Sequence, residues 1–213
     1  MTYLIALIFL FSGCSFTSDK DQSKKSNPIS NKTMTSNLDT AVFGAGCFWC
    51  VEAIFQRLKG VESIEAGYTG GTVDNPTYKE VCTGQTGHAE VARIFFDPKV
   101  ISYSELLEVF WTTHDPTTLN RQGADVGTQY RSAIFYVNET QKAEAEKSKK
   151  EVAPQIWEGA IVTEITPLKK FYIAEDYHQN YYNENSEQSY CMFVINPKLE
   201  KFRKKFKDKI KEE

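Results

Sequence analysis

Apolar residues recur at Phe48, Val51, Phe55 and Leu58, at intervals of three and four, and this spacing predicts a helix with one buried face. Gly60 follows the last of them, where a helix stops. Just before the helix, the apolar run Ala41-Val42-Phe43 leads into Gly44-Ala45-Gly46-Cys47, so the pattern reads as strand, tight turn and helix. Val61 to Ala66 alternates and predicts a strand, and Ala89 to Phe96 predicts another, with one acid, Glu90, near its start. Ser102-x-x-Glu105 is a capping box that opens a helix through Leu106, Leu107, Phe110 and Trp111, ending before Asp115-Pro116. Ser132 to Val137 is a further strand, and Asn138-x-x-Gln141 caps a charged, solvated helix to about Val152. Ile161 to Ile165 and Met192 to Ile195 read as short strands, and Ala174 to Tyr182 as a short aromatic helix. Leu199, Phe202, Phe206 and Ile210 form one face of a terminal helix whose other side is basic. Mixed in this order, the elements predict an α+β fold: a single two-layer domain, with helices packed on a mixed or antiparallel sheet and long functional loops.

Two stretches lack periodicity. Gly67-Tyr68-Thr69-Gly70-Gly71 begins about twenty irregular residues that run to His88, and Thr117 to Tyr130 forms a second loop. Loops of that length inside a domain usually carry function. The amino terminus departs from the rest in composition. Thr2 to Phe11 is almost wholly apolar, too short to span a bilayer, and ends in Ser12-Gly13-Cys14. It resembles a bacterial lipoprotein signal, although no Lys or Arg precedes the apolar run. On that reading residues 1–13 are removed, Cys14 is lipidated, and residues 14–38, rich in Ser, Lys, Asp and Asn, form a flexible tether to a domain over 39–213. The expected location is the bacterial cell envelope, with the membrane touched only through the lipid; the alternative is cytoplasmic, if the leader is not a working signal. Lys and Arg number 25 against 28 Asp and Glu, and no basic stripe crosses the domain, which argues against nucleic acid as a partner. A monomer is expected.

Candidate chemistry centres on Cys47. A cysteine in the first turn of a helix meets unpaired N–H groups and the positive end of the dipole, which favour the thiolate. Cys50 completes a C-x-x-C, which can close as a disulfide or offer two ligands to a metal. Tyr78, His88, Glu90, Asp125, Tyr130 and His178 are the polar candidates in the loops and at strand starts. Glu90 stands out because an acid on an apolar strand is rarely buried unpaired, and a raised pKa would make it a proton donor. From these residues alone three chemistries stay open. A Cys–His hydrolase would pair Cys47 with His88 or His178, oriented by Asp125. A zinc site would use Cys47, Cys50, Cys82 and Cys191 or a histidine, but lacks a second close pair. A thiol redox enzyme needs only Cys47 and a second thiol.

The motifs themselves resemble those of a known family. Gly46-Cys47-Phe48-Trp49-Cys50-Val51-Glu52 is similar to the signature of peptide methionine sulfoxide reductase A. Gly67-Tyr68-Thr69-Gly70-Gly71, Asn75-Pro76-Thr77-Tyr78, Thr86-Gly87-His88-Ala89-Glu90, Phe110-Trp111 with His114-Asp115-Pro116, Gly123-x-Asp125-x-Gly127-x-x-Tyr130, and Tyr190-Cys191 follow in the family's order. The resemblance spans about Ala41 to Leu199. It implies a protein-repair enzyme that reduces methionine-S-sulfoxide, free or in proteins, without metal or organic cofactor. It implies that Cys47 attacks the sulfoxide sulfur, that Glu90 is the acid and Tyr78 and Tyr130 hydroxyl donors, and that Asp125 supports the site. Phe48 and Trp49 would wall the methyl pocket. Cys47 would become a sulfenic acid, form a disulfide with a resolving thiol, and be restored by a thioredoxin-like reductant. Many members have Gly where Cys50 stands and use cysteines in a glycine-rich tail, which this chain lacks. Cys191 is slightly favoured over Cys50 as the resolving thiol, with Cys82 a weaker third.

Overall fold

The computed structural model describes residues 37–212. The expected leader, the expected lipidation site Cys14 and nearly all of the expected tether lie outside them. Within them the chain runs β1 (Asp39–Ala45), α1 (Phe48–Phe55), β2 (Val61–Thr69), α2 (Tyr78–Cys82), β3 (Ala89–Phe96) and α3 (Tyr103–Thr113). A two-residue pair, β4 (Arg121–Gln122) and β5 (Asp125–Val126), precedes β6 (Ser132–Tyr136), α4 (Glu139–Glu151) and α5 (Ala153–Ile156). Then come β7 (Glu164–Pro167), β8 (Phe171–Ile173), α6 (Tyr181–Glu184), a wide helical turn Cys191–Ile195, and α7 (Asn196–Lys205).

Six strands form one sheet in the order β7-β6-β1-β3-β2-β8, antiparallel except where β6 and β7 run parallel. The two edge strands are consecutive in the chain, separated only by residues 168–170. That link spans at most about 14 Å, whereas a flat sheet of this size is about 24 Å wide, so the sheet must curl. Central β1 is buried on both faces, which is why it reads as an unbroken apolar run. Phe43 packs with Phe55 at 5.6 Å and Phe110 at 5.0 Å between ring centres, beneath α1 and α3. Alternate residues face the other way: Val42 meets Val91, Ala133 and Phe135 in a smaller cluster.

Local signals place several elements to the residue. β3 and its acid are as expected, and Ser102 and Glu105 form the reciprocal capping box at α3. Asn138 caps α4 through the Gln141 N–H, but α4 is not wholly solvated. Gln141, Ala145 and Ser148 form a buried stripe, and Ser148 accepts from the Trp111 indole at 2.8 Å.

Other expectations are corrected. α1 ends at Phe55, three residues before Leu58. β2 continues through Gly67, Tyr68 and Thr69, which pair with β3 on one side and β8 on the other. A Cβ at Gly67 would overlap the Phe171 ring and the Tyr172 carbonyl, so the glycine marks close strand approach and not a loop. The irregular stretch to His88 contains α2, opened by a Thr77–Glu80 capping box that the sequence reading passed over. The strand expected at Ile161 to Ile165 begins at Glu164, where pairing with Ala133 starts. Met192 to Ile195 is not a strand. Cys191, Ile195, Leu199 and Phe202 are buried at helical intervals while Met192 and Phe193 face solvent, so the segment belongs to the terminal helix. Cys191 is accordingly not held by the sheet.

Candidate active site

Cys47 sits where β1 turns into α1. Gly46 makes the turn at φ +87°, and a Cβ there would lie 2.6 Å from the Gln122 side chain. Gln122 is itself fixed, accepting from the Asp115 N–H at 3.0 Å and donating to the Asp115 carbonyl at 3.1 Å. Cys47 occupies the cap position of α1 and is buried. Here the expected helix-start thiolate is overturned. Burial pushes the Cys47 thiol well above its ordinary value, and its hydrogen bond to Cys50 and the charges of Cys50 and Glu90 push the same way. Cys50 goes the other way, to about 7, lowered by the hydrogen bond from Cys47 and, against its own burial, by the Lys198 ammonium. Within the pair Cys47 is therefore the hydrogen-bond donor and Cys50 the acceptor. A dipole from an eight-residue helix is worth about 1 kcal/mol, less than the cost of burying an anion.

Glu90, the second residue of β3, is 1% exposed. The Phe48 N–H donates to its Oε2 at 3.2 Å. Burial raises its pKa to about 8, partly offset by that hydrogen bond and reinforced by the charges of Asp125 and Cys50. An ionised buried carboxylate costs several kcal/mol, so at neutral pH Glu90 holds a proton beside the Cys47 turn.

Two phenols stand close to this acid, and a third at the cysteine pair. Tyr78 opens α2, with its N–H on Glu175 Oε1 at 2.8 Å and its ring 4.3 Å from His178. Tyr130 closes a short turn, Thr128–Tyr130. Burial, with Glu90 close by, raises the pKa of both, so both remain hydroxyl donors. Tyr190 donates to Asp125 Oδ2 at 2.8 Å and lies 3.9 Å from the Cys50 sulfur. Asp125 is thus a support for a phenol at the cysteine pair.

The aromatic wall is Trp49, half-exposed, stacked on Tyr181 at 3.7 Å and 8° and donating to His178 Nδ1 at 3.2 Å. Phe48 is fully buried behind it, its ring 5.9 Å from Tyr68 and 5.0 Å from His178. Buried Glu52, one turn along α1, accepts from the Asn180 and Tyr181 N–H groups at 2.7 and 3.3 Å and so anchors the stacking partner.

The histidines serve other purposes. His88 accepts from the Gly71 N–H at Nδ1 and donates from Nε2 to the Val73 carbonyl at 2.7 Å, tying the loop together. His178 accepts from Trp49, and burial lowers its pKa. Among the described residues no group of three or more His, Cys, Asp or Glu is placed to hold a metal ion. Cys82 is exposed on α2, and Cys191 is buried at the head of the terminal helical segment. Sequence reasoning missed Glu52, Glu175, Tyr181 and Lys198. Glu52 carries the same signal as Glu90, an acid within an apolar pattern; the other three are ordinary residues until the fold brings them in.

The sequence model of the family described as Peptide methionine sulfoxide reductase matches residues 39–210. A peptide methionine sulfoxide reductase MsrA of Deinococcus radiodurans is 54% identical over 174 residues, covering 81% of this chain and 84% of the relative. One from Saccharolobus solfataricus is 55% identical over 174 residues, covering 82% and 98%. Among solved structures, reduced Mxr1 of Saccharomyces cerevisiae superposes with TM-score 0.69 at 38% identity, covering 72% of this chain and 89% of its own. Mxr1 in complex with Trx2 does so with TM-score 0.50 at 28% identity, covering 68% and 88%. The chain belongs to the peptide methionine sulfoxide reductase family, and is an oxidoreductase that reduces methionine sulfoxide at the expense of thiols.

Proposed function

We propose that this reductase repairs the S epimer of methionine sulfoxide through a Cys47 sulfenic acid and a Cys47–Cys50 disulfide. Glu90 carries the reading: a buried carboxyl, protonated at neutral pH and bonded to the backbone beside Cys47. Cys47 attacks the sulfoxide sulfur and passes its proton to the Cys50 thiolate, its hydrogen-bond acceptor. Glu90 protonates the sulfoxide oxygen as the S–O bond weakens, with Tyr78 and Tyr130 donating to the same atom. The protonated oxygen passes from the methionine sulfur to Cys47 as the bond between the two sulfurs breaks, so methionine leaves and Cys47 is left as Cys–SOH. Trp49 receives the S-methyl group over its apolar face, with Phe48 as backing. Nucleophile, oxygen donors and methyl wall fix three directions around sulfur, which is how one epimer is chosen.

Cys50 is favoured over Cys191 as the resolving thiol because its sulfur is already within hydrogen-bond reach of Cys47, three residues away at the start of α1. Its thiol displaces the sulfenic oxygen as water and leaves the disulfide. A thioredoxin-type reductant reopens that disulfide by exchange, a role supported by the complex of the yeast relative with Trx2. With dithiothreitol and the two epimers of a methionine sulfoxide peptide, the protein should consume the S epimer and spare the R epimer; inertness toward the S epimer would overturn the reading. With thioredoxin as reductant, Cys50→Ser should stop after one methionine per enzyme while Cys191→Ser keeps turning over. The reverse pattern would make Cys191 the resolving residue.

A further inference from the structure

We propose that Lys198 is the positioning residue that arms Cys50 for its attack on oxidised Cys47, by holding an ammonium against the Cys50 sulfur. This rests on the assignment of Cys50 as resolving thiol. Lys198 lies in the first turn of α7, and its Nζ donates to Cys50 Sγ at 3.6 Å. The two residues are 148 positions apart, so the contact exists only because α7 docks on α1. Lys198 is half-buried, and among the described residues it makes no ion pair with a carboxylate, so its charge is directed at the thiol.

Every group facing Cys50 bears on this. Cys47 faces it from the turn and Tyr190 from the terminal segment, while Lys198 and His114, at the end of α3, line a small gap against it. His114 is no rival cation. Its nitrogens are bonded to the Phe110 carbonyl at 2.6 Å and the Ser132 hydroxyl at 2.7 Å, and burial, with Lys198's charge adding, lowers it to about 4. Glu90 and Cys191 interact electrostatically with Cys50 as well, and a negative charge on either opposes its ionisation. Lys198 is therefore the cation available to offset burial at this sulfur, consistent with the lowering of Cys50 to about 7, to which the Cys47 hydrogen bond contributes first.

The advantage falls in the second half of the cycle. Once oxygen has been transferred, Cys47 is Cys–SOH and Cys50 holds the proton it took. Cys50 releases that proton, its sulfur forms the S–S bond, the Cys47 S–O bond breaks, and the oxygen departs with two protons as water. The ammonium stabilises the Cys50 thiolate as the proton leaves.

The test uses the full chain, with Lys198→Met, Lys198→Gln and Lys198→Arg. In a Cys47→Ser background, the pH dependence of Cys50 alkylation by iodoacetamide, read at that peptide by mass spectrometry, gives the thiol midpoint. Removing the charge should raise it by about one unit or more, and arginine should restore it. In the otherwise native protein, disulfide formation after one equivalent of sulfoxide should slow about tenfold below neutrality, the deficit closing at alkaline pH. A merely structural role would slow it equally at every pH. An unmoved midpoint in both neutral variants overturns the proposal. If Cys50→Ser stalls after one methionine yet the midpoint is unmoved, only the role of Lys198 fails; if Cys50→Ser turns over freely, the resolving assignment fails first.

Discussion

Cys47→Ser abolishes methionine sulfoxide reduction, with a loss in kcat/KM of roughly 10⁴-fold or more. The replacement is nearly isosteric, and a serine hydroxyl can still donate to the Cys50 thiolate that now accepts from Cys47. The site therefore keeps its shape and charge and loses only the atom that bonds to the substrate sulfur. Oxygen is not a useful substitute: its pKa is far higher, and no sulfenic acid can form on it. The measurement is methionine released from the S-sulfoxide peptide under dithiothreitol, in single and multiple turnover, alongside thermal unfolding. An intact melt with no methionine is the expected pair of results. Methionine released at a rate near that of the native protein would end the assignment of Cys47 as nucleophile, and would direct attention to Cys50 or exposed Cys82.

Glu90→Gln has the second largest effect, slowing oxygen transfer by about 10²–10⁴-fold, the range lost with a general acid. An amide keeps an oxygen for the Phe48 N–H but has no proton to give as the S–O bond breaks. The pH dependence separates this from a disturbance of packing. Glu90 titrates near 8, so the native rate falls as pH rises through about 8 and the acid is lost. Cys50 titrates near 7, so the rate rises through about 7 as the proton acceptor forms. The native profile is a bell, and in Glu90→Gln its alkaline limb disappears while the acidic limb remains. Stability gives an independent check. The folded-state pKa of Glu90 is raised, so between its ordinary value and about 8 the native state holds more protons than the unfolded chain. Across that window stability falls as pH rises. Glu90→Gln escapes the loss, so its melting temperature relative to the native protein should climb through the same window. An unchanged turnover rate would end the acid role, and a relative melting temperature that falls with pH would contradict the burial argument.

What could be read in advance follows from the range of the interactions. β3, α3 and α4 are set by patterns and caps a few residues long, and they form where those patterns lie. Glu90 was conspicuous because an acid on an apolar strand violates a local rule. Segments judged wrongly are those whose state is decided by a distant partner. Gly67 to Thr69 are strand because β3 and β8 pair with them, and β7 starts where β6 begins to accept it. Cys191 to Ile195 is too short a run for its period to declare itself, and burial beside α7 makes it helical.

The site divides along the same line. Local pattern alone carried Cys47 on a glycine turn at a helix start, an acid on an apolar strand, and the family that the motifs resemble. The electrostatics, and the meeting of these parts, came with the fold. A helix start favours a thiolate at Cys47, but desolvation is a property of what surrounds an atom, and it outweighs a short helix dipole. Cys50 is lowered first by the hydrogen bond from Cys47 and further by Lys198, which arrives from 148 residues away, and Trp49 is held flat because Glu52 reaches the Asn180 amide across 128. No spacing rule spans such distances; contacts between remote segments exist only once the chain has folded and brought them together.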